Sequence, residues 1–119
     1  MYSRIGMELK EYLEKKNFSY TRNGDVEMIT MDDYSFYIKG TEVHIPIPLP
    51  TGREKLDDLV TMGTYYARAS RLVQGIGEPV TYALRETTVE VVIRFNDRNE
   101  LEQKLIKALE GIESLRYFM

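Results

Sequence analysis

The chain has 119 residues, 16 basic and 19 acidic side chains, a net charge of −3 and no cysteine. This is the length of one domain that buries its own core without staples. The missing cysteines exclude a disulfide, a zinc–thiolate site and a thiol nucleophile. The acidic balance argues against broad electrostatic binding to nucleic acid or to an anionic membrane.

The charge is uneven. Residues 1–60 hold 8 basic and 11 acidic side chains, whereas residues 61–119 hold 8 of each. Tryptophan is absent, Asn and Gln are few, and charges are many, a thermophile-like composition. No apolar run reaches the roughly 20 residues that span a bilayer, and Met1–Glu14 is charged throughout. A soluble, cytoplasmic protein of one domain over residues 1–119 is expected.

In chain order, Ile5, Leu9 and Leu13 recur at helical spacing with Tyr12 beside them, and Asn17 is suited to stop the helix. Phe18–Arg22 and Asp25–Met31 read as strands around Asn23-Gly24, a pair that favours a type I′ hairpin. Asp32-Asp33 and Lys39-Gly40 mark turns on either side of Tyr34–Ile38, and Thr41–Ile47 is a fourth strand. In Val43–Pro50, the apolar residues Val43, Ile45, Ile47 and Leu49 keep period-2 spacing, while Pro46, Pro48 and Pro50 remove ladder donors. This pattern predicts an edge strand running into a polyproline-like connector.

Thr51-Gly52-Arg53-Glu54 matches a capping box and predicts the start of a second helix. Leu56, Leu59, Val60, Gly63, Tyr66, Ala67 and Ser70 follow helical spacing to about Val73, and Gly75 and Gly77 predict a flexible exit. Val80–Leu84 and Val89–Phe95 form a hairpin turning at Arg85-Glu86. Asp97-Arg98-Asn99-Glu100 predicts a capped third helix with the stripe Leu101, Leu105, Ala108, Leu109, Ile112 and Leu115. The fold class is α+β: an antiparallel sheet with helices on one face, in the order α-β-β-β-(β)-α-β-β-α.

No motif predicts a catalytic, cofactor or metal site. His44, the sole histidine, shares a strand face with Glu42; a general base is one reading and an exposed strand residue the other. Asp32-Asp33 and Asp57-Asp58 suit a turn and a helix start better than a cation site. Gly75-Ile76-Gly77 lies between helix and strand, the reverse of a phosphate loop. Tyr65, Tyr66, Arg68 and Arg71 form an aromatic and basic cluster that suggests weak nucleic-acid binding, although Tyr66 in the core is the plainer account. Gly63, Ala67 and Ser70 give helix two a small-residue strip, suited either to its own sheet or to a second copy. The apolar ending Leu115-Arg116-Tyr117-Phe118-Met119 suits docking at home or in a partner.

The order helix, strands Phe18 to Ile47, helix Leu56 to Val73, strands Val80 to Phe95 and a last helix resembles that of the type III secretion chaperone-like proteins. The resemblance implies an acidic homodimer without catalysis that binds an extended partner segment. The expected function is a non-enzymatic protein-interaction domain, homodimeric, with Val43, Ile45, Ile47, Leu49, Gly63, Tyr66, Ala67 and Ser70 at its interface and no cofactor. The alternatives are a small-ligand-binding domain or enzyme with a pocket between sheet and helices, and a weak nucleic-acid binder through Arg68 and Arg71.

Overall fold

A computed structural model describes residues 8–31, 34–77 and 79–116. The expectations for Ile5, the Asp32-Asp33 turn and Tyr117–Met119 lie outside the described residues, and the side chain of Leu115 is also outside them. Nine elements follow in order: α1 (Leu9–Lys15), β1 (Ser19–Asn23), β2 (Val26–Met31), β3 (Tyr34–Lys39), β4 (Glu42–Pro48), α2 (Leu56–Ile76), β5 (Val80–Arg85), β6 (Thr88–Arg94) and α3 (Arg98–Arg116). The six strands form one antiparallel sheet in the order β1-β2-β3-β4-β6-β5. The α+β class and element order match the sequence expectation.

Helix ends follow local chemistry. Asn17 takes a left-handed φ of 62°, Phe18 N–H donates to Leu13 O and Asn17 N–H to Glu14 O. Those two bonds satisfy the last carbonyls of α1 in a Schellman arrangement. Asp97 caps α3 by accepting the Glu100 N–H at 2.8 Å, and Glu100 returns a bond to the Asn96 N–H. The Thr51–Glu54 box also forms, with Glu54 accepting the Thr51 N–H, the Thr51 hydroxyl and the Gly52 N–H. It closes a turn, however, and α2 begins only at Leu56.

The hairpins turn one residue later than expected. Asn23 pairs with Val26, Lys39 with Glu42 and Arg85 with Thr88. The positive φ therefore falls on Gly24, Gly40 and Glu86. Asn23 stays in the strand and the type I′ expectation fails.

The edge-strand expectation for Val43–Leu49 is overturned: β4 sits between β3 and β6. The prolines are tolerated because the two neighbours are not engaged equally. β4 pairs with β6 along its whole length, through Pro48↔Thr88, whereas pairing with β3 ends at Tyr37↔His44. Leu49 N–H donates to Thr87 O, so the odd-numbered residues of this stretch point their N–H groups toward β6. The proline nitrogens then face the side where β3 has left the ladder, and no ladder bond is lost. The Tyr34 hydroxyl crosses that gap to Pro46 O at 3.0 Å.

The core lies between the sheet and the helices. Ile29, Phe36, Ile38, Val43, Ile45, Val91 and Ile93 meet Leu9, Leu13, Ala69, Leu72, Ile76, Leu101, Leu105 and Leu109. Helix α3 packs against both α1 and α2, and α2 lies over β4. Gly75 is inside α2, not in a flexible exit. A Cβ there would stand 2.9 Å from Ala108 Cβ and 3.0 Å from Ala108 Cα, so it is the close contact between α2 and α3. The helix ends one residue beyond Gly75, at Ile76, on left-handed Gly77.

Candidate interaction surface

Helix α2 carries two apolar stripes on different faces. Ala69, Leu72 and Ile76 are buried, with Tyr65 and Val73 packed beside them. The second stripe is Leu56, Leu59, Val60, Gly63, Tyr66, Ala67 and Ser70. All of it is exposed except Ser70, which is half-buried. Leu56 is 75% exposed, Val60 62% and Tyr66 58%. Tyr66 therefore points out and its neighbour Tyr65 points in, the reverse of the core expectation for Tyr66. An amphipathic surface helix ordinarily buries one stripe and presents polar residues on the other side.

The direction of the second stripe follows from helix geometry. At about 100° per residue, Ala69 and Leu72 mark the sheet side of α2 and Gly75 the α3 side. Arg68 lies between them and reaches the Met31 carbonyl at the end of β2. The exposed stripe is centred on Gly63, about 150° around the helix from the buried one, so it points away from the sheet. Beyond β4 the sheet continues into β6 and β5. On that flank Tyr82 and Leu84 share the helix-bearing face with Val91 and Val89, their partners in β6. They are 70% and 73% exposed. Leu49 is exposed too, so α2 and β5 each present apolar side chains at the surface.

The expected interface residues divide. Val43 and Ile45 are fully buried core residues and Ile47 is half-buried against the core, so the β4 part of the expected surface is interior. Leu49, Gly63, Tyr66 and Ala67 are at the surface. Tyr82 and Leu84 were not singled out from the sequence. Their alternation reads as a buried face, and only the placement of α2 over β4 leaves that face bare. The Arg68–Arg71 pair does not form one patch: Arg68 is half-buried, while Arg71 is exposed on the border of a shallow cleft with Gln74, Gly75 and Lys107.

The opposite face of the sheet carries a polar network around His44, which is buried at 8% exposure and not the exposed strand residue of the plainer sequence reading. Its Nδ1 lies 2.9 Å from Glu90 Oε1 and its Nε2 2.9 Å from Glu42 Oε1. The Tyr37 hydroxyl donates to the other Glu90 oxygen, Arg94 Nε donates to Glu42, and the Tyr37 ring stacks on the imidazole at 4.7 Å. Burial pushes the Glu90 carboxyl up, but the bonds from Tyr37 and His44 outweigh it and hold the group below the ordinary range. The His44 bond, reinforced by Arg94, lowers Glu42. Burial and the Glu90 carboxylate raise the Tyr37 phenol to about 12. Each ring nitrogen of His44 thus faces a carboxylate.

A second network lies on the helix-bearing face. Buried Glu27 receives both Arg98 terminal nitrogens at 2.7 Å and the Tyr20 hydroxyl at 2.6 Å. Arg98 also binds Glu102, which accepts the Leu9 N–H at the start of α1. This network ties α1, β2 and α3 together.

Among the described residues, no cluster of His, Asp and Glu is arranged to hold a metal ion, and no helix is long and apolar enough to cross a membrane. A cleft of about 270 Å³ between α2 and α3 and one of about 170 Å³ beside Arg98 are both smaller than the usual small-molecule site of about 300 Å³ or more. No family model matches the chain, and neither does any curated protein or solved structure.

Proposed function

We propose that this chain is a non-enzymatic, cytoplasmic protein-interaction domain that works as a homodimer through the exposed apolar stripe of α2. The observation that carries the reading is the second apolar stripe of α2. Leu56, Val60 and Tyr66 are each more than half exposed, with Leu59 exposed beside them. An exposed apolar stripe of this kind usually marks an interaction site. A second copy supplies the same surface, and a two-fold contact covers both at once.

The resemblance to type III secretion chaperone-like proteins points the same way. It adds capture of an extended partner segment, for which β5 is the suited strand: it ends the sheet and carries exposed Tyr82 and Leu84. Sedimentation equilibrium tests the dimer. The chain is expected at twice its monomer mass at micromolar concentration, and Tyr66→Asp is expected to return it to monomer. A wild-type chain that stays monomeric at high micromolar concentration overturns the reading.

A further inference from the structure

Resting on that homodimer reading, we infer that the second copy lays its α2 antiparallel along this α2, with the two-fold axis at Gly63. The stripe positions are symmetric about that residue. Leu56 lies as far before it as Ser70 lies after it, Leu59 matches Ala67, and Val60 matches Tyr66. In an antiparallel pair centred there, Leu56 meets Ser70 and Leu59 meets Ala67 of the second copy, so bulky side chains oppose small ones. A parallel pair sets Leu56 on Leu56 and Ala67 on Ala67, leaving crowding at one end and a void at the other.

Gly63 itself suits the crossing point. A Cβ built on it meets nothing within 4 Å, so the protomer's own packing does not require glycine there, and no positive φ does. Glycine in a helix interior costs about 1 kcal/mol relative to alanine, and the close approach of a second helix is the compensation the geometry offers. Residues without large side chains at a crossing let helix axes approach to about 8 Å.

The flanking charges fix the orientation. Asp57 and Arg71 are two heptads apart on the same border of the stripe, and both are exposed. Antiparallel packing brings Asp57 of each copy to Arg71 of the other, giving two reciprocal pairs. Parallel packing carries this border of the two copies to opposite sides, so the pairs do not form. Such rim pairs set orientation more than affinity.

The absence of cysteine makes the arrangement testable by disulfide trapping. Residues 59 and 67 are about 12 Å apart along one helix, beyond the roughly 7 Å Cα separation a disulfide spans, so the L59C/A67C variant cannot bridge within a chain. Mild oxidation is expected to convert most of it to covalent dimer on a non-reducing gel, while L59C alone stays uncrosslinked. Efficient linkage of L59C alone would show a parallel pair and overturn the inference. A wild-type dimer by sedimentation with no linkage in the double variant also overturns it, while leaving the dimer standing. A monomer by sedimentation refutes the dimer itself. D57R and R71D are each expected to raise the dimer Kd several-fold and D57R/R71D to restore it; additive weakening in the double variant counts against the antiparallel pair.

Discussion

Glycine-to-alanine substitution at two positions of one helix separates packing from propensity. At Gly63 the added methyl meets nothing within the protomer, so Gly63→Ala is expected to stabilise the dilute monomer by about 1 kcal/mol through helix propensity alone. At Gly75 the same methyl stands 2.9 Å from Ala108 Cβ and 3.0 Å from its Cα. The second atom is backbone, so relief requires α2 and α3 to move apart over the core residues between them. Overpacking of this kind costs about 1–3 kcal/mol. With the propensity gain offset, Gly75→Ala is expected to destabilise by about 1 kcal/mol. The two variants then differ by about 2 kcal/mol in urea unfolding, read at low protein concentration so that self-association does not enter. If Gly75→Ala stabilises as much as Gly63→Ala, the close contact of α2 with α3 is wrong. Gly63→Ala also probes the crossing point: it is expected to gain monomer stability while losing dimer affinity, a pairing that propensity alone does not produce.

Arg98→Ala removes the guanidinium from buried Glu27, leaving the Tyr20 hydroxyl, and is expected to cost about 2–3 kcal/mol by thermal unfolding, below the fully buried case because Arg98 is partly exposed. Arg98→Lys is expected to recover only part of this, since an ammonium cannot reproduce the two-pronged contact; full recovery would count against it. Glu27, Glu42 and Glu90 all have carboxyls lowered in the folded state. Their contribution is therefore complete above the unfolded carboxylate range and is lost as pH falls through the depressed values. The urea midpoint is expected to drop as pH falls below the ordinary glutamate range, and Glu90→Gln to shallow that drop; a flat wild-type profile there contradicts the assignment. Glu86 holds a φ of 29° at a hairpin turn, so Glu86→Gly is expected to stabilise by about 0.5–1 kcal/mol, read in the same urea assay, and no gain would indicate an unstrained turn.

Features set by neighbours in the chain were read well from sequence. Asn17 ends α1 and Asp97 starts α3 because each bonds to backbone within a few residues. The alternation of Tyr34, Phe36 and Ile38 gave the buried face of β3. Features set by distant packing were not. The period of Leu56 to Ser70 identified a helix, but which of two apolar stripes meets the sheet depends on where α2 lands. Pro46 and Pro48 excluded a strand paired fully on both sides, yet a strand that loses one neighbour midway satisfies the same rule. His44 and Glu42 were visible as one strand face, whereas Glu90 and Tyr37 reach the histidine only through pairings of β4 with β6 and β3. Thr51–Glu54 formed its bonds without a helix behind them, since a capping box is a local contact and the helix needs the turn that follows.

The prolines of β4 also fix its register. A one-residue slip of β4 against β6 turns the nitrogens of Pro46 and Pro48 toward β6, where each leaves a carbonyl without a donor. The same slip moves Val43 and Ile45 to the polar face. Most strands resist misregister through side chains alone. β4 resists it through its backbone as well, so its register on β6 does not rest on side chains alone.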